Sequence, residues 1–99
     1  MLNYPVLGTL FRALADPTRR VIIELLCDED ACVTRIAESL PLALPTVMAH
    51  LRALEKVSLI RTHKIGRVRT CWFEPQALEL LDHWVRERRR SCQRRESRR

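Results

Sequence analysis

The chain has two glycines in 99 residues, Gly8 and Gly66. Loops that cradle phosphate on backbone amides need several glycines within a few positions, so a glycine-rich nucleotide-binding loop is excluded. Paired histidines at metal-protease spacing and a Ser-His-Asp arrangement are also absent. A small, mostly helical domain offers little room for a cleft, so an enzyme is not expected. The four cysteines, Cys27, Cys32, Cys71 and Cys92, form no Cys-x-x-Cys or Cys-x-Cys pair and do not read as a disulfide framework. No apolar run approaches the roughly 20 residues of a membrane span. The start, "MLNYPVLGTLF", lacks a basic segment and a small-residue cleavage site. The expectation is a cytoplasmic protein with no membrane contact.

Charge of either sign is plentiful but unevenly placed. Residues 1–85 hold ten Lys/Arg and ten Asp/Glu. The net charge of +6 therefore resides in Arg86–Arg99, "RERRRSCQRRESRR", with eight arginines against Glu87 and Glu96. That segment is either a solubilising tail or a basic extension that touches phosphate. The neutral remainder means that a high isoelectric point is no proof of nucleic-acid binding. We divide the chain into a domain over residues 1–90 and an Arg-rich, mobile tail over 91–99. One domain this short has a thin core, and a dimer would add shared apolar burial.

Periodicity predicts a helix after Pro5 with Val6/Leu7, Leu10/Phe11 and Leu14 on a stripe. Asp16 and Pro17 then mark a second start: a short acceptor side chain at the cap, and a proline where its missing N–H costs nothing. Val21, Ile22, Leu25 and Leu26 are its expected buried stripe, and Asp28–Asp30 end it. "ACVTRIAESL" reads as a short third helix with Val33, Ile36, Ala37 and Leu40 inward. A fourth helix spans about Leu44 to Lys56, with Val47, Leu51 and Leu54 on its rear. The third and fourth, joined by a tight link, form a helix-turn-helix pattern.

The period then changes. Residues 59–63 and 68–73 are β-prone, with Gly66 between them free to take positive φ, so residues 59–73 read as a hairpin. Trp72 and Phe73 read as core plugs. Pro75 opens a last helix whose Leu78, Leu81 and Val85 form an apolar line. The expected fold is mainly α with a β-hairpin wing, a winged helix-turn-helix in the order α-α-α-α-β-β-α.

Such an arrangement is suited to double-stranded DNA. The major groove, about 12 Å wide, admits one helix, which needs an anchored rear and short side chains in front. Helix 44–56 has both. Thr46 sits in the first turn, where a hydroxyl and free amides can meet phosphate. His50 can donate to a base or phosphate. Met48 and Ala49 offer apolar contact, and Arg52 and Lys56 reach the backbone. On the hairpin, Lys64 and Arg67 flank the tip while Arg61 and Arg69 lie on the strands, a basic set fit for the minor groove or its phosphates. The competing reading is a winged helix that binds a protein partner.

"FRALADPTRRVIIELL", "LPTVMAHLRALEKVSLI" and "GRVRTCWFEP", in that order, resemble the ArsR/SmtB family of winged-helix repressors over about Leu10 to Arg88. The resemblance implies a homodimer joined through the first and last helices, here Val6, Leu10, Leu14, Leu78, Leu81 and Val85, that represses a palindromic operator. It places the DNA-reading positions on Leu44, Pro45, Thr46, Met48, Ala49 and His50, and the wing on about Thr62 to Thr70. Two positions depart from the family pattern. Ala43 stands where a capping serine is common, and Met48 and Ala49 replace polar readers, so specificity leans on methyl contacts and wing shape readout.

Many members of that family respond to a metal or an oxidant. Here Cys32 matches the first cysteine of one family site, but Thr34 replaces the second. Asp82, His83 and Glu87 on the last helix fall short of another, which needs further histidines. No metal and no cofactor are expected. Cys32 and Cys92 are the candidate sensor thiols, the latter among arginines that favour thiolate. The chain is most similar to the subgroup without recognised sensor ligands, and its inducer, if any, is unknown.

Overall fold

The computed structural model describes residues 4–98, so Met1–Asn3 and Arg99 of the expected tail lie outside it. The elements run α1 (Tyr4–Ala15), α2 (Pro17–Asp28), β1 (Ala31–Cys32), α3 (Val33–Glu38), α4 (Leu44–Lys56), β2 (Ile60–Ile65), β3 (Val68–Phe73), a 3₁₀ turn (Pro75–Leu78) and α5 (Glu79–Glu96). This is the expected winged helix-turn-helix, with one added strand. Ala31 and Cys32, read from sequence as the start of the third helix, instead pair antiparallel with Cys71 and Thr70. The sheet therefore has three strands, in the order β1-β3-β2. A two-residue strand carries no detectable alternation, which is why periodicity missed it.

Local chemistry accounts for the helix boundaries. Asp16 caps α2 by accepting the amides of Thr18 at 2.8 Å and Arg19 at 3.2 Å, with Pro17 in the first turn. Ala43 gives α4 no side-chain cap, as its identity predicts. The end of α4 closes with a left-handed residue, Ser58, at φ 63°. The Leu59 amide bonds the Leu54 carbonyl, and the Ser58 amide bonds that of Glu55, both at 3.0 Å. These paired bonds form a Schellman motif, which satisfies the last carbonyls and fixes the direction in which the chain leaves. Leu59 and Ile60 then drop into the core, and the wing starts from an anchored base.

The core gathers Leu10 and Ala13 of α1, Ile22, Ile23 and Leu26 of α2, Ile36 of α3, Val47, Leu51 and Leu54 of α4, then Leu59, Ile60 and Cys71. The α4 rear face is as expected. The α2 stripe is rotated: Ile23 is buried and Val21 exposed. Leu10 lies in the chain's own core at 2% exposure, so its expected place in a dimer interface is corrected. Cys27 is exposed at the end of α2, and Cys71 is buried. Phe73 packs on the core, but Trp72 lies on the other sheet face, half-exposed, with its indole N–H donating to Glu74 at 2.9 Å. Strand alternation explains the difference, since neighbours in a strand point to opposite faces.

The last helix also departs from expectation. Pro75 opens a 3₁₀ turn rather than the α-helix itself. The helix then continues through Glu96, so the boundary drawn at residue 90 falls inside it.

Candidate nucleic-acid interface

Helix α4 presents Thr46, Ala49, Arg52 and Lys56 to solvent, while Val47, Leu51 and Leu54 hold its rear. The Thr46 amide is not free: it bonds the Ala43 carbonyl at 3.0 Å, and Pro45 has no N–H. What Thr46 offers outward is its hydroxyl. Met48 is half-buried against the core and lines a groove with Leu51, Arg52, Glu55, Thr62 and Arg69. It belongs as much to the joint between α4 and the wing as to the outer face.

His50 is half-buried and engaged. Arg19 of α2 donates its Nε–H to His50 Nδ1 at 3.2 Å, across 31 residues of sequence. The same Arg19 is held by the Asp16 cap through its backbone amide. At Asp16, partial desolvation raises the carboxyl pKa. The amides of Arg19 and Thr18, with the charge of the nearby Arg19 guanidinium, outweigh it, leaving the pKa below its ordinary value.

In the wing, Gly66 at φ +61° and Arg67 make the two-residue connection between Ile65 and Val68, a Gly-first loop of the kind that suits tight hairpins. Register separates the four wing cations. Lys64 faces Arg69 across the strands, and Thr62 faces Cys71 on the same sheet face. Arg69 donates to Thr62 Oγ1 at 2.8 Å, and Thr62 donates to Glu55 of α4 at 3.0 Å. Arg61 is one residue out of phase. It lies opposite Trp72 near the hairpin base and pairs with Glu74 at 3.4 Å. Lys64 and Arg67 stay exposed near the tip, beside the exposed apolar pair Ile65 and Val68. The side chains named from sequence as DNA contacts thus lie on α4 or the outer wing, and Arg61 stands apart. Arg19, Glu55 and Thr62, which hold the set in place, were not among them. Their partners are spatial, and no local sequence pattern announces them.

The α1–α5 side carries a different chemistry. Val6, Phe11 and Val85 are exposed, while Leu14, Leu78 and Leu81 are half-buried against the core. Phe11 meets Trp84 edge-on at 5.7 Å, and Arg88 lies over the same indole at 5.6 Å. Beyond Arg88 every described residue of α5 is exposed.

The four thiols are unpaired within the chain. Cys32 is half-buried on β1 and Cys92 exposed on the outer half of α5. Cys71 is pushed up to about 11, by burial first and then by Glu55 and Cys32, with Arg69 opposing. It is therefore a protonated packing residue at neutral pH. No group of three or more His, Cys, Asp or Glu side chains among the described residues could hold a metal. No helix among them is long and apolar enough to cross a membrane.

A buried-rear helix, a short helix before it and a basic hairpin after it define a winged helix-turn-helix DNA-binding regulator. Comparison with known proteins agrees. The profile of bacterial regulatory proteins of the arsR family matches residues 16–62. The chain is 35% identical over 81 residues to the HTH-type transcriptional regulator Rv2034 of Mycobacterium tuberculosis, covering 82% of this chain and 76% of that one. It is 34% identical over 61 residues to the transcriptional repressor SdpR of Bacillus subtilis, covering 62% and 68%. A solved ArsR family transcriptional regulator, RHA00566, superposes with a TM-score of 0.88 at 40% identity, over 94% of this chain and 97% of that one. The chain belongs to the ArsR family of transcriptional regulators; it is not an enzyme.

Proposed function

We propose that the protein is a homodimeric repressor of a palindromic operator. Helix α4 enters the major groove, and the β2–β3 wing lies against the neighbouring minor groove or its phosphates. The observation that carries this reading is the division of α4 into a buried rear and an exposed front, with the Glu55–Thr62–Arg69 chain holding a basic wing beside it. Thr46 contacts phosphate and His50 a base edge, while Arg52, Lys56, Lys64 and Arg67 supply long-range charge. Arg69 orients the wing, and Arg61 contributes at most distant charge.

Dimerisation follows from the α1–α5 side. Val6, Phe11 and Val85 are large apolar side chains left wet in one chain, flanked by Leu14, Leu78 and Leu81. A two-fold assembly through this side covers them and sets two α4 helices about one DNA turn apart. The relatives' names support regulation by repression. The test is binding to duplex DNA over a salt series. Affinity for any duplex should fall steeply as salt rises, and genomic selection should enrich an inverted repeat. A protein-interaction module would show neither.

A further inference from the structure

The contact between Arg19 and His50 lies outside the usual inventory of a DNA-reading helix. Arg19 is on α2, and its Nε–H reaches Nδ1 of a histidine on α4 at 3.2 Å. A guanidinium can only donate and stays charged at any ordinary pH. The nitrogen facing it must therefore be an unprotonated acceptor. A neutral imidazole carries one proton, so that proton resides on Nε2. The two anchors of Arg19 are rigid: its amide is bonded to the Asp16 cap, and its helix starts at Pro17. His50 is held from the opposite side by the α4 rear face in the core.

We infer that Arg19 is a specificity-determining positioning residue: it locks His50 in the Nε2–H tautomer, so that the outward nitrogen presents a donor to DNA. The inference rests on the proposed reading of α4 as the major-groove helix. Its consequence follows from the base edges. A fixed donor is accepted by guanine O6 and N7, adenine N7 and thymine O4, and is opposed by the amino group of cytosine. An unlocked imidazole could turn either nitrogen outward, as donor or acceptor, and would tolerate amino groups as well. Arg19 thus narrows what His50 accepts without touching a base.

The experiment has two arms on the full chain. Imidazole nitrogen NMR of the ¹⁵N-labelled protein should show His50 in the Nε2–H form in the wild type and in Arg19→Lys, and in tautomer exchange in Arg19→Ala. A matrix of single-base operator variants should then show one column per half-site in which Arg19→Ala loses discrimination about as fully as His50→Ala, on the order of tenfold. Arg19→Lys should restore most of it, and the double variant should lose no more than either single one. A His50 ring in the same state in all three proteins overturns the inference. So does a column that His50→Ala flattens and Arg19→Ala leaves intact. If His50→Ala flattens no column, the reading of His50 as a base contact fails, and the specificity role of Arg19 fails with it. The NMR arm still separates that case, because the tautomer lock is measured without DNA.

Discussion

Thr62 joins the reading helix to the wing through a single hydroxyl: it donates to Glu55 of α4 at 3.0 Å and accepts Arg69 of the facing strand at 2.8 Å. Below this chain, the Schellman closure at Ser58 fixes where the wing leaves α4. Helix and wing are therefore positioned together rather than as independent pieces. Thr62→Val removes both bonds at nearly constant volume. One exposed and the other part-buried, they contribute little to stability, about 1 kcal/mol or less. DNA binding should fall more than melting does, because Arg69 and the hairpin lose their register against α4. Equal binding by Thr62→Val and the wild type would show that the chain of bonds has no bearing on DNA.

Ser58 offers a test with the opposite sign. Its φ of 63° is costly for a residue with a Cβ and free for glycine. Ser58→Gly should raise stability by roughly 0.5–1 kcal/mol, after allowing for the greater freedom of glycine in the unfolded chain. Chemical denaturation reads it directly, and a clear loss of stability would contradict the left-handed closure.

The rear and flank of α4 should respond as packing residues. Leu51 is 3% exposed, so Leu51→Ala should cost about 2–5 kcal/mol. Met48 is half-buried, and Met48→Ser should cost about 1 kcal/mol through reduced apolar burial. Its main effect should be on the melt. A shifted base preference with an unchanged melt would place Met48 on DNA instead.

Asp16 makes stability pH-dependent. Its folded-state pKa lies below the ordinary 3.8, so the stabilisation is complete above that value and disappears as pH falls through the folded pKa. Asp16→Ala should therefore melt earlier than the wild type at pH 7, and the gap should narrow below pH 3.8. A gap that stays constant into acid would mean that the carboxylate charge is irrelevant to the cap.

Much of this architecture is legible in the sequence, and the reasons differ by element. Helix α4 is plain because Val47, Leu51 and Leu54 repeat at helical spacing behind a proline. The α2 start is plain because Asp16 and Pro17 are both position-specific. What stayed hidden depends on proximity in space. The two-residue β1 is too short for a period, and Leu10 and Val6 cannot be told apart as core and surface without knowing which way α1 rolls. Arg61 and Arg69 look equivalent in a basic hairpin until the register puts one on Glu74 and the other on Thr62. His50 reads from sequence only as a donor to a base or phosphate until Arg19 is found against it.

Whether α4 and the wing form one DNA-reading surface is read out by a salt series of operator binding. Wild type, Thr46→Ala and the Lys64→Ala/Arg67→Ala double variant should be compared on operator and random duplex, with melts as control. Melts should be nearly equal, since these side chains are exposed. Both variants should bind both duplexes more weakly than the wild type. For the wing variant, the dependence of log affinity on log salt should become shallower by about 0.9 for each phosphate that is no longer neutralised. Wild-type affinity and slope in both variants would show that this surface does not meet DNA.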